Sequence, residues 1–462
     1  MSNFGFGASD DDPDKKKDPD GSGNPAGFGF GGEGFDPAQL GQMLTQFGQM
    51  LSGMGAAGGT GSGPVNYDLA KQLARQQMGD FSPVSAGERE AVTDAAHLAE
   101  LWLDGATTLP AGATKTVAWT PVDWLDNTID TWKRLCDPVA EQISGMWTSG
   151  LPAEAQQMAG PMMGMLTQMG GMAFGSQLGQ ALGQLSKEVL TSTDIGLPLG
   201  PSGTAALLPS AIASFSEGLE QPDREVLVFL AAREAAHQRL YSHVPWLRQR
   251  VLATVEEYAR GIRMDFSAIE EAAAGLDPSA LTDPSKIEAI LQQGAFEPQT
   301  TPEQKHALER LETLLALVEG WVETVVAAAL GDRLPGAVAL GETIRRRRAS
   351  GGPAEQTFAT LVGLELRPRK VREAADLWRQ LLAAADIEGR DGVWAHPDLL
   401  PDSSDLDNPA GFIDRVVGGG TSSFDDPIAQ LEAMEAKEAE ERAAGNDDKG
   451  TDGDPEKGSS TT

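Results

Sequence analysis

Phe229-Leu230-Ala231-Ala232-Arg233-Glu234-Ala235-Ala236-His237-Gln238-Arg239-Leu240-Tyr241-Ser242-His243 is the stretch on which the fold turns. Glu234 and His237 stand three residues apart, so on a helix they are neighbours on one face. Leu230 and Tyr241 lie on that same side, which points the polar pair inward. An inward Glu and His on a helix call for a body of helices large enough to surround them.

The residues on either side supply that body. Ser85 followed by Glu88 has capping-box spacing and opens an apolar-periodic run through Trp102. A Trp-rich stretch follows, with Trp119, Trp124, Trp132 and Trp147. Gly171, Gly175, Gly179 and Gly183 recur every fourth residue, which on a helix makes a groove along one face. Each Gly costs on the order of 1 kcal/mol against Ala, so the spacing predicts a buried helix crossed closely by another. Asp194 to Pro201 is irregular, with room for one strand. Thr301-Pro302-Glu303-Gln304 provides an N-cap, a proline at N1 and a Gln at N3, opening a helix to about Leu330. A further helix follows Pro368 and runs through Trp378.

The composition sets limits on function. The chain has 462 residues, a formal charge of −32, 54 glycines and one cysteine. Residues 1–64 hold net −5 and residues 401–462 net −11, so the stretch between keeps −16. A surface of that sign repels phosphate backbones, and no nucleic-acid partner is expected. Cys136 alone excludes a disulfide framework and a thiolate zinc cluster, and it suits a reducing cytoplasm. Asp and Gly stand near the first residues where a basic and then an apolar region would mark a secretory signal, so secretion is not expected. Met158 to Leu185 is the most apolar candidate span but is broken by Gln168, Gln177, Gln180 and Gln184, so stable membrane insertion is not expected.

The expected organisation has three parts: a disordered Gly/Met/Asp-rich arm (1–64), a helical domain (65–417) and an acidic, largely disordered tail (418–462). Pro37 to Met54 is a short amphipathic piece within the first arm, and residues 427–443 are a charged helix-former within the tail. Such segments bury too little apolar surface to offset their ordering entropy. The alternative to a simply disordered N-terminal arm is one that docks a protein partner through its Phe and Met residues.

Glu-x-x-His on an inward face is the second half of the zincin motif His-Glu-x-x-His. In that motif two His side chains one turn apart bind zinc and the Glu takes a proton from the metal-bound water. The first position here is Arg233, whose guanidinium has no lone pair and repels a dication. Glu319, in Leu314-Leu315-Ala316-Leu317-Val318-Glu319-Gly320-Trp321-Val322, falls on a buried stripe with Leu315, Val322 and Val326. A buried carboxylate needs a metal or a cation. His97, His306 and His396 stand in ordinary helical or loop surroundings and are read as structural.

Three readings of these residues stand open. In one, zinc is bound by His237, Glu319 and His243, with Glu234 as general base and Tyr241 stabilising the oxyanion. His243 is about 240° from His237 on a continuous helix, so this needs an early helix end, which Pro245 favours. In the second, Arg233 takes the place of the metal and pairs with Glu319 or Glu234 in a pseudo-enzyme. In the third, Glu234 and His237 are a satisfied polar pair in a helical core.

The chain also resembles a zincin-like family of zinc-dependent metalloproteases common in actinobacteria. Three blocks carry the likeness: Arg233 to Trp246, Val318-Glu319-Gly320-Trp321, and Leu361 to Trp378 with Gly392-Val393-Trp394 and Leu400-Pro401. The resemblance covers roughly residues 85–417. It implies a mostly α, single large zincin-like domain, zinc as cofactor and a peptide or protein substrate. The motif departs from the family's pattern at Arg233. The functional expectation is a zincin-type hydrolase, with a catalytically inert, protein-binding relative as the alternative.

Overall fold

In the computed structural model, residues 63–149, 160–261, 263–264, 298–299, 301–350, 353–364 and 369–418 are described. The terminal arms, with Pro37 to Met54 and residues 427–443, lie outside the described residues. The described elements in order are α1 (Tyr67–Met78), α2 (Ala86–Leu103), β1 (Lys115–Ala118), α3 (Pro121–Ser149) and α4 (Gly160–Leu185). Then come β2 (Thr204–Leu207), α5 (Pro209–Ser216), α6 (Asp223–His243), α7 (Leu247–Arg260) and the short pair β3 (Arg263–Met264) and β4 (Pro298–Gln299). The remainder is α8 (Pro302–Leu330), α9 (Ala337–Ala349), α10 (Pro353–Val362), α11 (Val371–Gly392), α12 (Ser403–Asp407) and α13 (Pro409–Val417). The fold is mostly α.

Two helices form the axis of the core. In α6 every residue from Val228 to Tyr241 is buried, and in α8 every residue from Leu314 to Val322. A helix covered on all sides has no solvent face on which to place its polar residues. Each buried charge on α6 and α8 therefore has to find a partner within the protein. Helix α8 begins at a full capping box of Thr301 and Gln304, and α2 at one of Ser85 and Glu88. By length and hydropathy, Pro302–Arg333 is the one stretch among the described residues that could cross a membrane, not Met158 to Leu185. Of its most apolar window, 78% is buried inside the protein.

The glycine groove of α4 is filled by α1 and the residues before it, from Pro64 at Gly171 to Gln77 at Gly183. A Cβ at Gly175 would stand 2.5 Å from the Asn66 carbonyl oxygen, and one at Gly179 2.5 Å from that of Ala70. The same logic governs Gly320, where an added Cβ would lie 2.6 Å from the backbone nitrogen of Ala375. Helix α11 crosses α8 at that point, one residue from Glu319.

The strand allowed for at Asp194 to Pro201 forms instead at Thr204–Leu207. It pairs in parallel with Lys115–Ala118, from Lys115 opposite Thr204 to Ala118 opposite Leu207. Asp194 to Pro201 turns, with Gly196 at φ +80°, and this turn lies against the buried face of α8. Helix α11 continues past Trp378 and, across a break at Asp386 (φ +59°), to Gly392, and Trp378 donates from Nε1 to the Leu317 carbonyl on α8 at 2.9 Å.

Candidate functional site

Glu319 is the centre of the candidate site. Helix α8 holds it 2% exposed, with α6 and the end of α9 packed alongside. Arg233 of α6 donates from Nη2 to Glu319 Oε2 at 2.7 Å. Arg348, from the last turn of α9, reaches the same oxygen with Nη1 at 2.5 Å. His237 Nε2 lies 3.0 Å from the other oxygen, Oε1. Its Nδ1 faces the Arg233 carbonyl at 2.8 Å, and since a carbonyl can only accept, Nδ1 carries a hydrogen.

The electrostatics follow from the crowding. Burial alone would raise the Glu319 carboxyl, but the charges of Arg348, His237 and Arg233 hold it well below the usual carboxylate range. Arg233 is pulled down by burial and by Arg348, against the opposing pull of Glu319. Arg348 is raised despite its burial, because Glu319 and Asp194 both favour its charge.

A second layer fixes the arginines. Arg348 Nη2 donates to the Asp194 carbonyl at 2.6 Å. Arg347 pairs through Nη1 with Asp194 Oδ2 at 2.9 Å and donates from Nη2 to the Glu188 carbonyl at 2.6 Å. The Asp194–Gly196 turn lies over the carboxylate, so that a Cβ at Gly196 would come 3.2 Å from Glu319 Oε1.

The other expected site residues are placed apart from this centre. Glu234 is buried but turned to the loop before β2. Its Oε1 accepts from Ser192 Oγ at 2.5 Å and Gln238 Nε2 at 2.9 Å, and its Oε2 from Thr193 N at 3.1 Å and Thr193 Oγ1 at 2.6 Å. Glu234 and His237 therefore serve different partners and do not pair with each other. Tyr241 donates its hydroxyl to the Gly196 carbonyl at 2.6 Å, and burial together with the Glu319 charge pushes the phenol up, keeping it protonated.

His243 does not join His237. Helix α6 runs through His243 instead of ending early, since Val244, not His243, takes the extended conformation that Pro245 demands. His243 is consequently exposed, with Nε2 3.0 Å from the Ala111 carbonyl.

Arg348 is the residue the sequence reading missed. It ends the run Arg345-Arg346-Arg347-Arg348, which looks like the solvated basic end of a helix. The available signal was the need of Glu319 for cations, which one arginine on α6 does not exhaust.

Comparison with known proteins places these residues in a family. The model of a family described as zincin-like metallopeptidase matches residues 65–413. The chain belongs to that family. No curated protein matches it. A solved structure titled "Crystal structure of a putative hydrolase with a novel fold from Chloroflexus aurantiacus" is similar over 76% of this chain and 98% of that one, with 21% identity and a TM-score of 0.54. At that identity the likeness speaks for the fold alone.

The zincin-like family implies a zinc ion, and the donor set can be tested for it. A structural or catalytic zinc takes at least three N, O or S ligands with free lone pairs. His237 and Glu319 supply two. Among the described residues no group of three or more His, Cys, Asp or Glu is arranged to hold a metal. Of two further carboxylates, Glu234 already accepts from Ser192, Thr193 and Gln238, and Asp194 Oδ2 from Leu190 N and Arg347. Two guanidiniums already neutralise Glu319, and neither can bind a cation. The residues present do not fit a zinc ion.

Proposed function

We propose that this zincin-like protein is an inert relative of the zinc peptidases, a protein-binding module in which Arg233 stands where the family's metal would. The observation that carries this is the occupation of Glu319, with Arg233 and Arg348 on Oε2 and His237 on Oε1. Arg233 precedes Glu-x-x-His at the position of the motif's first histidine, so the cation and its counter-charge come from the chain itself. The acidic terminal arms are the proposed docking segments for a protein partner. Buried Cys136, its thiol pushed up by burial, suits a reducing compartment and a cytoplasmic location.

A zinc-dependent hydrolase is the second reading, favoured by family membership and by His237. Its Nδ1–H rests on a backbone carbonyl, the arrangement that frees Nε2 in metal-binding histidines. That reading keeps His237, Glu319 and His243 as ligands, Glu234 as general base and Tyr241 at the oxyanion. It requires both arginines to leave Glu319 and His243 to cross to the other side of α6.

Peptide hydrolysis by the full chain, with and without added zinc, separates the two. No zinc-dependent cleavage is expected. Cleavage that appears with zinc and disappears in Glu234→Gln would overturn the inert reading in favour of the hydrolase.

A further inference from the structure

The arginines at Glu319 have more donors than the protein satisfies. A guanidinium carries five N–H hydrogens. Arg233 gives one bond, from Nη2 to Glu319, and among the described residues its Nε and Nη1 meet no acceptor. Arg348 uses Nη1 and Nη2, while its Nε is buried without a partner. A buried donor left unmatched, as Arg348 Nε is, is costly, and a second acceptor group would satisfy it.

The surrounding charges leave this demand open. Arg347 is matched by Asp194 and the Glu188 carbonyl, and Glu323 is taken by Arg345 at 2.6 Å. Glu234 is occupied by neutral donors from Ser192, Thr193 and Gln238. Glu319 thus takes the direct ion pairs of both arginines, with His237 on its far oxygen, while Asp194 and Glu323, each paired with another arginine, also favour the charges of Arg348 and Arg233. The centre is also reachable, since the side chains of Arg233 and Arg348 are 11% and 23% exposed while that of Glu319 is 2% exposed.

We propose that the guanidinium hydrogens that Arg233 and Arg348 give neither to Glu319 nor to the Asp194 carbonyl form a binding site for an oxyanion, the phosphate or carboxylate group of a ligand. The inference rests on the reading that no metal occupies this centre. Arginine suits the role because its fork matches the two oxygens of such a group. Where a zinc peptidase would present a cation to a carbonyl oxygen, this chain presents two fixed guanidiniums to a full negative charge. Phosphate and carboxylate share that chemistry and come from different sources, a free phosphate ion or the C-terminus of a polypeptide.

The test uses the full chain freed of divalent metal on a chelating resin, because soluble chelators are themselves polycarboxylates. Melting temperature is followed at constant ionic strength against inorganic phosphate, and against one short peptide carrying either a free or an amidated C-terminus. A saturable rise is expected with phosphate, or with the free-carboxylate peptide and not its amide, and the responding arm identifies the source. Arg233→Gln and Arg348→Gln should each weaken binding about tenfold, the scale of one charge-assisted hydrogen bond. Arg379→Gln, which removes a surface arginine paired with Asp376, should bind as the wild type does. If a Gln variant does not fold, Arg348→Lys keeps the charge, loses the fork and should still bind more weakly. No shift in any arm, a shift without saturation, or equal shifts in the wild type and the Arg348 variants would overturn the site. Zinc found in the untreated protein would overturn the reading beneath it, and the anion result in metal-free protein would still be scored separately.

Discussion

Two buried carboxylates flank the same stretch of α8, and their surroundings differ in kind. Asp391 sits beside Arg390, whose Nε donates to Oδ1 at 2.8 Å, and Trp321 Nε1 donates to the same oxygen at 2.9 Å. Its Oδ2 accepts from Thr107 Oγ1 at 2.6 Å and Thr108 N at 2.8 Å. One cation meets one anion there, neutral donors fill the carboxylate's remaining lone pairs, and the two side chains are 0% and 1% exposed, so that the one unmatched donor, Arg390 Nη1, is sealed from any ligand. Glu319 meets two cations and a histidine, and its arginines reach the surface. The closed centre is what a structural ion pair requires. The open one has surplus cation and access, which a purely structural pair does not need.

The largest expected effect is at the closed centre. Asp391→Ala strands Arg390 with no water to turn to, and should cost about 3–5 kcal/mol in urea unfolding. Glu319→Ala also leaves cations unpaired, but Arg233 and Arg348 can swing toward solvent, so about 3 kcal/mol is expected. An equal or larger loss at Glu319 would erase the distinction between the centres. Arg233→Ala should cost less again, about 1–2 kcal/mol, because Arg348 and His237 remain on the carboxylate. From the sequence alone that substitution looks far more damaging, since Arg348 is not visible as a second cation.

The smallest effect is in the acid limb of stability. Both carboxyls are held below their unfolded values, near 4. A depressed carboxyl contributes stability that is present above the unfolded pKa and is lost as pH falls through the folded one. The wild type should therefore lose stability progressively below about pH 4. Glu319→Gln should have a shallower acid limb, measured as unfolding free energy against pH. An unchanged slope would mean that Glu319 is not ionised in the folded protein.

Much of the fold was legible because its signals are local. The capping boxes at Ser85 and Thr301, the Gly171 to Gly183 repeat and the apolar run around Glu319 each name a helix or a close approach within a few residues. The site was half legible. Glu319 and Arg233 were readable because a charge inside an apolar run must be paired. The direction of Glu234 was not, because α6 is buried all round and its sequence does not say which neighbour each face meets. His243 was misplaced by one residue of helix, the margin by which Pro245 acts on Val244. Arg348 was hidden because pairing across some 30 residues of chain leaves no spacing to read.

The central claim is that arginine, not metal, neutralises Glu319. It is tested most directly by native mass spectrometry of the full-length wild type after exposure to excess zinc, read as zinc atoms per chain. The expected result is no stoichiometric zinc in the wild type and its appearance only when both Arg233→His and Arg348→Gln are introduced. One tightly held zinc per wild-type chain would contradict the account.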